Sequence, residues 1–262
     1  MHSLHTQING LTTYYTLAGR ATNPTLVFLH AMGARSSRFS WFNGIEPVIK
    51  ALSQHFYVIA PEHPGLIHSE TPSASWDLED RAIHLHQLLE ELKMTNPILV
   101  GNSFGGGVAT DYAIRYPKQL NRLILIDSVV SSAYPESSKV TQSTEQYIQL
   151  LRRTTIPLWI KRLMVWWRFA TPLNLATPED IRRKVLMLNN ALAQKFTVDY
   201  ASLKPPVTLL WGKQDTTHPI AYARSIVLKA PTIKLVEYKG TVSTIYHKPS
   251  RLIPIIVEIS KQ

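Results

Sequence analysis

Ile98-Leu99-Val100-Gly101-Asn102-Ser103-Phe104-Gly105-Gly106-Gly107-Val108 is the stretch from which the rest of the chain can be read. A short apolar run passes without a spacer into glycines and then into a helical pattern, Val108 to Tyr116, that Pro117 stops. The spacing is G-x-S-x-G. A strand that turns straight into a helix strains the backbone at the central serine. It also brings neighbouring chain so close that only glycine fits two residues to either side. Ser103 is thereby pushed out at the edge of a sheet, where its hydroxyl can act as a nucleophile.

Working outward, similar apolar runs recur at Thr25 to Leu29, Phe56 to Ala60 and Leu123 to Ile126, each bounded by Pro, Gly or Asn. Between them, residues 78 to 93 carry Leu78, Ala82, Leu85, Leu88, Leu89 and Leu92 at three-and-four spacing. Strand signals return at Val207 to Trp211 and Ile233 to Tyr238, separated by a helical stretch from Ala221 to Leu228, and a last helix is predicted over 249 to 260. Such alternation predicts an α/β fold with a mainly parallel sheet flanked by helices. From 129 to 200 the strand signals stop and amphipathic helices with Trp159, Trp166 and Trp167 take over. The expected organisation is a core of residues 1–128 and 201–262 interrupted by a helical cap insertion, 129–200.

Composition narrows the classes. The 262 residues are 45% hydrophobic and 18% charged, ordinary globular values that argue against disorder or a fibrous repeat. With no cysteine, disulfides, thiolate metal sites and cysteine nucleophiles are excluded. No run approaches a membrane span and the N-terminus has no signal-peptide pattern, so a soluble, cytoplasmic protein is expected. The net charge is +10, with eight basic against two acidic residues between 152 and 184. No nucleic-acid-binding motif accompanies that charge, and no nucleic-acid partner is expected.

Further segments fall in a fixed order around the elbow. Leu29-His30-Ala31-Met32-Gly33 looks like an H-G-x-x-G turn, and Glu62-His63-Pro64-Gly65-Leu66-Ile67-His68-Ser69 looks like D-x-P-G-x-G-x-S. Trp211-Gly212-Lys213-Gln214-Asp215 is similar to a W-G-x-x-D stretch. Together they resemble the α/β-hydrolase fold superfamily over nearly the whole chain. The resemblance implies Ser103 as nucleophile and Asp215 as the acid that orients the base. It also implies backbone N–H groups of Met32 and Phe104 as the oxyanion hole. His30 would orient its loop beside the substrate, and Trp159 and Trp167 would line the cap side of the pocket. No cofactor is needed for such a mechanism, and no His and carboxylate spacing signals a metal.

One member is missing. The superfamily's base is a histidine after the last strand, but the loop here reads Gly240-Thr241-Val242-Ser243-Thr244-Ile245-Tyr246-His247-Lys248-Pro249, with Val242 at the expected position when Lys248-Pro249 is aligned and Ser243 there when Gly240 is. Three readings stay open: His247 swings in as a displaced base; the protein binds a ligand without hydrolysing it; or Val242 marks an inactivated variant. His218, three residues past Asp215, is expected to make a local loop hydrogen bond, and His84 and His86 to face solvent from a helix. Ala31 and Ile67 replace glycines of the superfamily pattern. The functional expectation is a serine hydrolase acting on a hydrophobic ester or related small acyl compound. Tryptophan with Lys and Arg in the insertion also suits a peripheral contact with an anionic membrane surface.

Overall fold

The computed structural model describes residues 1–32, 44–73, 76–128, 149, 155–169 and 198–262. Eight strands among them form one sheet: β1 (His2–Ile8), β2 (Leu11–Ala18), β3 (Thr25–Leu29), β4 (Tyr57–Pro61), β5 (Ile98–Asn102), β6 (Arg122–Ile126), β7 (Val207–Gly212) and β8 (Lys234–Tyr238). Their spatial order is β1-β2-β4-β3-β5-β6-β7-β8. The β1–β2 and β2–β4 pairs are antiparallel and the remaining pairs parallel, in the register that aligns Val27 with Leu99 and Leu125 with Leu209.

The helices are α1 (Glu46–Leu52), α2 (Leu78–Glu91), α3 (Phe104–Arg115), α4 (Leu158–Phe169), α5 (Ile220–Lys229), α6 (Thr244–His247) and α7 (Pro249–Ser260). Side chains alternate across the central strands. Leu26, Phe28, Ile98, Val100, Ile124 and Ile126 pack on the face covered by α1, α6 and α7. Val27, Leu29, Leu99, Leu123 and Leu125 pack on the face covered by α2, α3 and α5. Burial on both faces explains why these strands read as continuous apolar runs rather than alternating ones.

Local chemistry sets the boundaries. Asp77 and Asp80 form a reciprocal capping box at the start of α2. The β1–β2 hairpin turns through Asn9 and Gly10, both at positive φ, the conformation that an Asn-Gly pair adopts without strain. The strand and helix expectations for the core agree with these elements, and α3 begins four residues earlier than its apolar pattern because its first turn is the glycine run. Tyr200, grouped with the insertion by pattern, is buried with the core residues facing α2 and α3. Most of the expected cap, residues 129–148, 150–154 and 170–197, lies outside the described residues, as does Gly33.

The glycines two residues to either side of Ser103 are required by space. A Cβ on Gly105 would stand 2.4 Å from the carbonyl oxygen of Leu29, and one on Gly101 2.6 Å from the backbone of Gly106. These are main-chain atoms in buried elements, so no side-chain rotation relieves the clash. Gly105→Ala should therefore lower stability by about 2–4 kcal/mol, seen as a fall in the urea midpoint at constant slope; an unchanged midpoint would contradict the tight approach of α3 to β3.

Candidate active site

Ser103 joins β5 to α3 at φ 52 and ψ −117, outside the regions favoured by a residue with a Cβ. Its N–H donates to the Ile126 carbonyl at 3.0 Å and its own carbonyl accepts from Gly106, which fixes the turn from both sides. The side chain is only partly covered. The neighbouring Asn102 amide donates to the Ile126 and Val242 carbonyls at 3.0 and 3.3 Å, tying the elbow to the strand beside it and to the loop after β8.

The imidazole beside the serine belongs to His218. Its Nε2 lies 3.1 Å from Ser103 Oγ, and the residue is 4% exposed. Two hydrogen bonds hold the His218 segment. The His218 N–H donates to Asp215 Oδ1 at 2.6 Å, the Trp211 indole donates to the His218 carbonyl at 2.7 Å, and Trp211 itself is fully buried in β7. Burial pulls the His218 pKa down to about 4, with the Asp215 charge acting in the opposite direction. The ring is thus neutral at neutral pH and can accept a proton.

His247, the expected displaced base, sits instead at the end of α6 with its side chain exposed. The short α6 turn and the Pro249 that opens α7 carry it one helical turn beyond the loop. Val242, the position expected for histidine, contributes its backbone: its N–H donates to Asp215 Oδ2 and its carbonyl accepts from Asn102. Asp215 therefore clamps two loops, accepting from His218 on one oxygen and from Val242 on the other. The signal for His218 was present in the sequence as Asp215-Thr216-Thr217-His218. The local hydrogen bond expected there does form, and it holds the segment whose ring lies beside Ser103.

The proposed oxyanion donors lie where two elements meet. Phe104 is the first residue of α3 and is buried, while Met32 follows β3 and packs against both faces of the core. The contact of Gly105 with the Leu29 and His30 carbonyls brings these two segments together. His30 is buried at 1% exposure, its Nδ1–H donating to the Ala31 carbonyl at 2.7 Å and its Nε2 accepting from the His63 N–H at 3.4 Å. It braces the loop from behind. The Ala31 N–H in turn donates to the Tyr246 hydroxyl at 2.8 Å, so α6 supports the same loop.

Other expectations fared differently. Ile67, at a position where the pattern has glycine, sits at φ 55 while 2% exposed, so a β-branched residue holds a left-handed backbone that its packing must offset. His84, expected to face solvent, is buried and bonded to the Thr13 hydroxyl at 2.8 Å. Trp159 is 67% exposed on α4, and the Trp167 side chain lies outside the described residues. Among the described residues no His, Asp and Glu cluster could hold a metal, and no helix is long and apolar enough to cross a membrane.

The profile of the α/β hydrolase fold matches residues 24–240, most of the chain. The chain belongs to the α/β hydrolase fold family. An uncharacterised protein of Mycobacterium tuberculosis (strain ATCC 25618 / H37Rv) is 25% identical over 95% of this chain and 78% of its own length. A monoacylglycerol lipase of Bos taurus is 23% identical over 93% of this chain and 77% of its own. Among solved structures, an α/β hydrolase enzyme from a Medee basin deep-sea metagenome library superposes with a TM-score of 0.78 at 16% identity, covering 99% of this chain and 98% of that one.

Buried histidines give the fold a pH signature. His218 and His84 are held down to about 4, chiefly by burial, and His30 and His63 are shifted the same way. As pH falls from about 6.5 to 4 the unfolded chain takes up protons that the folded chain refuses, so stability falls. Asp127, pushed up to about 7 by burial and the nearby Asp215 charge, acts in the opposite sense over that range. Asp111, raised chiefly by burial, acts with Asp127, and four imidazoles against these two carboxyl groups predict a net drop in melting temperature between pH 7 and 4.5, shallower in His84→Gln. A melting temperature that rises on acidification would contradict it.

Proposed function

We propose that this α/β hydrolase cleaves a hydrophobic ester or related acyl compound through Ser103, with His218 as the general base. The 3.1 Å approach of Ser103 Oγ to His218 Nε2 at a strained elbow carries this reading. Ser103 Oγ attacks the acyl carbon while its proton passes to His218 Nε2, and the negative oxygen is held by the backbone N–H groups of Phe104 and Met32. Collapse expels the alcohol, which takes the proton from His218. Water, deprotonated by the same imidazole, then releases the acid and restores the serine. Asp215 keeps the His218 segment in place and its charge favours the imidazolium that forms in each step.

Relocation of the base to the loop after β7 also explains why Val242 is tolerated, since the loop after β8 has only to supply backbone to Asp215 and Asn102. The alternative, a ligand-binding protein without hydrolysis, rested on a missing base and loses its motive once His218 fills that role.

A fluorophosphonate probe tests the reading without knowledge of the substrate. Ser103→Ala should abolish labelling, and His218→Ala should slow it by roughly 10³-fold or more. His247→Ala should stay within about twofold of the parent, since that residue has no part in the mechanism. The labelling rate of the parent should hold nearly level from pH 8 to about 5 and fall as His218 protonates. Equal loss in His247→Ala and none in His218→Ala would overturn the assignment.

The apolar character of the substrate is supported by α4, where Leu158, Trp159 and Leu163 are 39%, 67% and 46% exposed beside the half-buried Lys161. The same helix suits peripheral contact with an anionic lipid surface. Co-sedimentation with phosphatidylserine vesicles should drop in Trp159→Ala; binding that is absent from the parent, or unchanged in the variant, would remove this part of the proposal.

A further inference from the structure

The mechanism leaves one buried charge unused. Arg81, in the first turn of α2, is 1% exposed. Its Nη1 donates to the Pro64 carbonyl at 2.8 Å, whereas Nε and Nη2 have no hydrogen-bond partner among the described residues. The carboxylates that act on it, Asp80 and Asp77, are engaged in the capping box of α2. Burial lowers its pKa to about 10, which leaves it a cation at neutral pH. A guanidinium at the positive end of a helix, taken out of water and half-satisfied, is costly to keep. Such an arrangement calls for a compensating role.

Its surroundings point to one. The guanidinium carbon lies 5.4 Å from the centre of the Phe104 ring, and the His63 ring packs edge-on against the same ring at 5.2 Å. His63 Nε2–H donates to the His30 carbonyl at 3.0 Å, and the two imidazoles stack edge-to-face at 4.6 Å. Arg81 thus stands behind both segments that meet at the proposed oxyanion site: Phe104 directly, and the loop from His30 to Met32 through His63. The cavity beside it, lined by Arg81, His63, His84 and Pro64 among others, is about 10 Å³, room for about one water. Bulk solvent therefore does not screen the charge.

We infer that Arg81 is a positioning residue for the reaction, its buried charge biasing the site toward the oxyanion while its stem and Pro64 bond hold Phe104 and the 61–69 loop in place. This inference rests on Ser103 and Phe104 having the roles proposed above. In a medium of effective dielectric near 20, a unit charge about 12 Å from a developing oxyanion is worth on the order of tenfold in rate. His30, His63 and His84 add no charge of their own while neutral, and Glu62, the nearby carboxylate, is turned to the N–H groups of His68 and Ser69.

The test measures saturation kinetics of fluorophosphonate labelling in the full chain carrying Arg81→Met, Arg81→Gln or Arg81→Lys. Phosphonylation joins Ser103 Oγ to phosphorus as fluoride leaves and His218 takes the proton, and the phosphoryl oxygen occupies the oxyanion site. Met and Gln should each lower the limiting labelling rate on the order of tenfold, with the half-saturating probe concentration within about twofold and the pH midpoint unmoved; Lys should recover most of the rate. Replacing a buried ion by an apolar side chain of similar length is often neutral for stability, and melting temperature is followed in each variant. Full rate in Met and Gln, or a loss in Lys equal to that in Met, would overturn the inference while leaving the function intact. Should Met unfold, the Gln and Lys pair decides by the same criterion. A parent chain that does not label at all would instead remove the functional reading and this inference with it.

Discussion

The close approach of α3 to the ends of β3 and β5 is the constraint on which the rest of the site depends. With main-chain atoms of Gly105 against the Leu29 and His30 carbonyls, and Gly101 against Gly106, the chain has no option but to turn sharply at Ser103. The turn fixes three things together: the exposed side of the serine, the helix start at Phe104, and the distance from that start to the loop at His30 to Met32. A side chain at any of these glycines would separate them. The packing energy of a sheet buried on both faces is what holds the strain at Ser103 in place.

A second constraint sits at the other side of the serine, where β6, β7 and β8 end. Asp127 accepts from the Gly212 N–H at 2.6 Å and from the Tyr238 hydroxyl, so one carboxyl group ties the last residues of three adjacent strands. Asp215 does the same for the two loops that follow. Because both oxygens of Asp215 accept backbone donors, one from His218 and one from Val242, the loop after β8 meets Asp215 through main chain and the side chain at 242 takes no part. The base proposed here comes from the loop after β7, which reaches the serine because Trp211 and Asp215 hold His218 by its carbonyl and its N–H.

The buried positive charge behind the site follows the same economy. His30, His63 and His84 are neutral because burial disfavours their protonated forms, and the Arg81 charge adds to that effect. The His30 and His63 imidazoles can then act as hydrogen-bonding wedges that brace the loop by main-chain contacts. A carboxylate in contact with Arg81 would cancel the field that this cluster otherwise projects toward Phe104.

The sequence by itself determined the elbow, the central strands and their burial on both faces, because glycine spacing, apolar runs and helix periodicity are local properties that survive without partners. The apolar pattern does not single out the Asn9-Gly10 hairpin, and the Asp215-Thr216-Thr217-His218 turn shows only a local hydrogen bond, since such short signals take their weight from what lies nearby. Which histidine meets the serine is set by packing between distant segments. His218 and His247 are both plausible by distance along the chain; they are separated by strand order, which sets β7 beside β6 near the elbow, and by the α6 turn, which carries His247 out to solvent. The burial of Arg81 and His84 was equally hidden, since a helix pattern gives the apolar stripe but not which polar residues at its margin will be covered. Local sequence specifies conformation, whereas the pairing of groups far apart in sequence is set by the packing of the whole sheet.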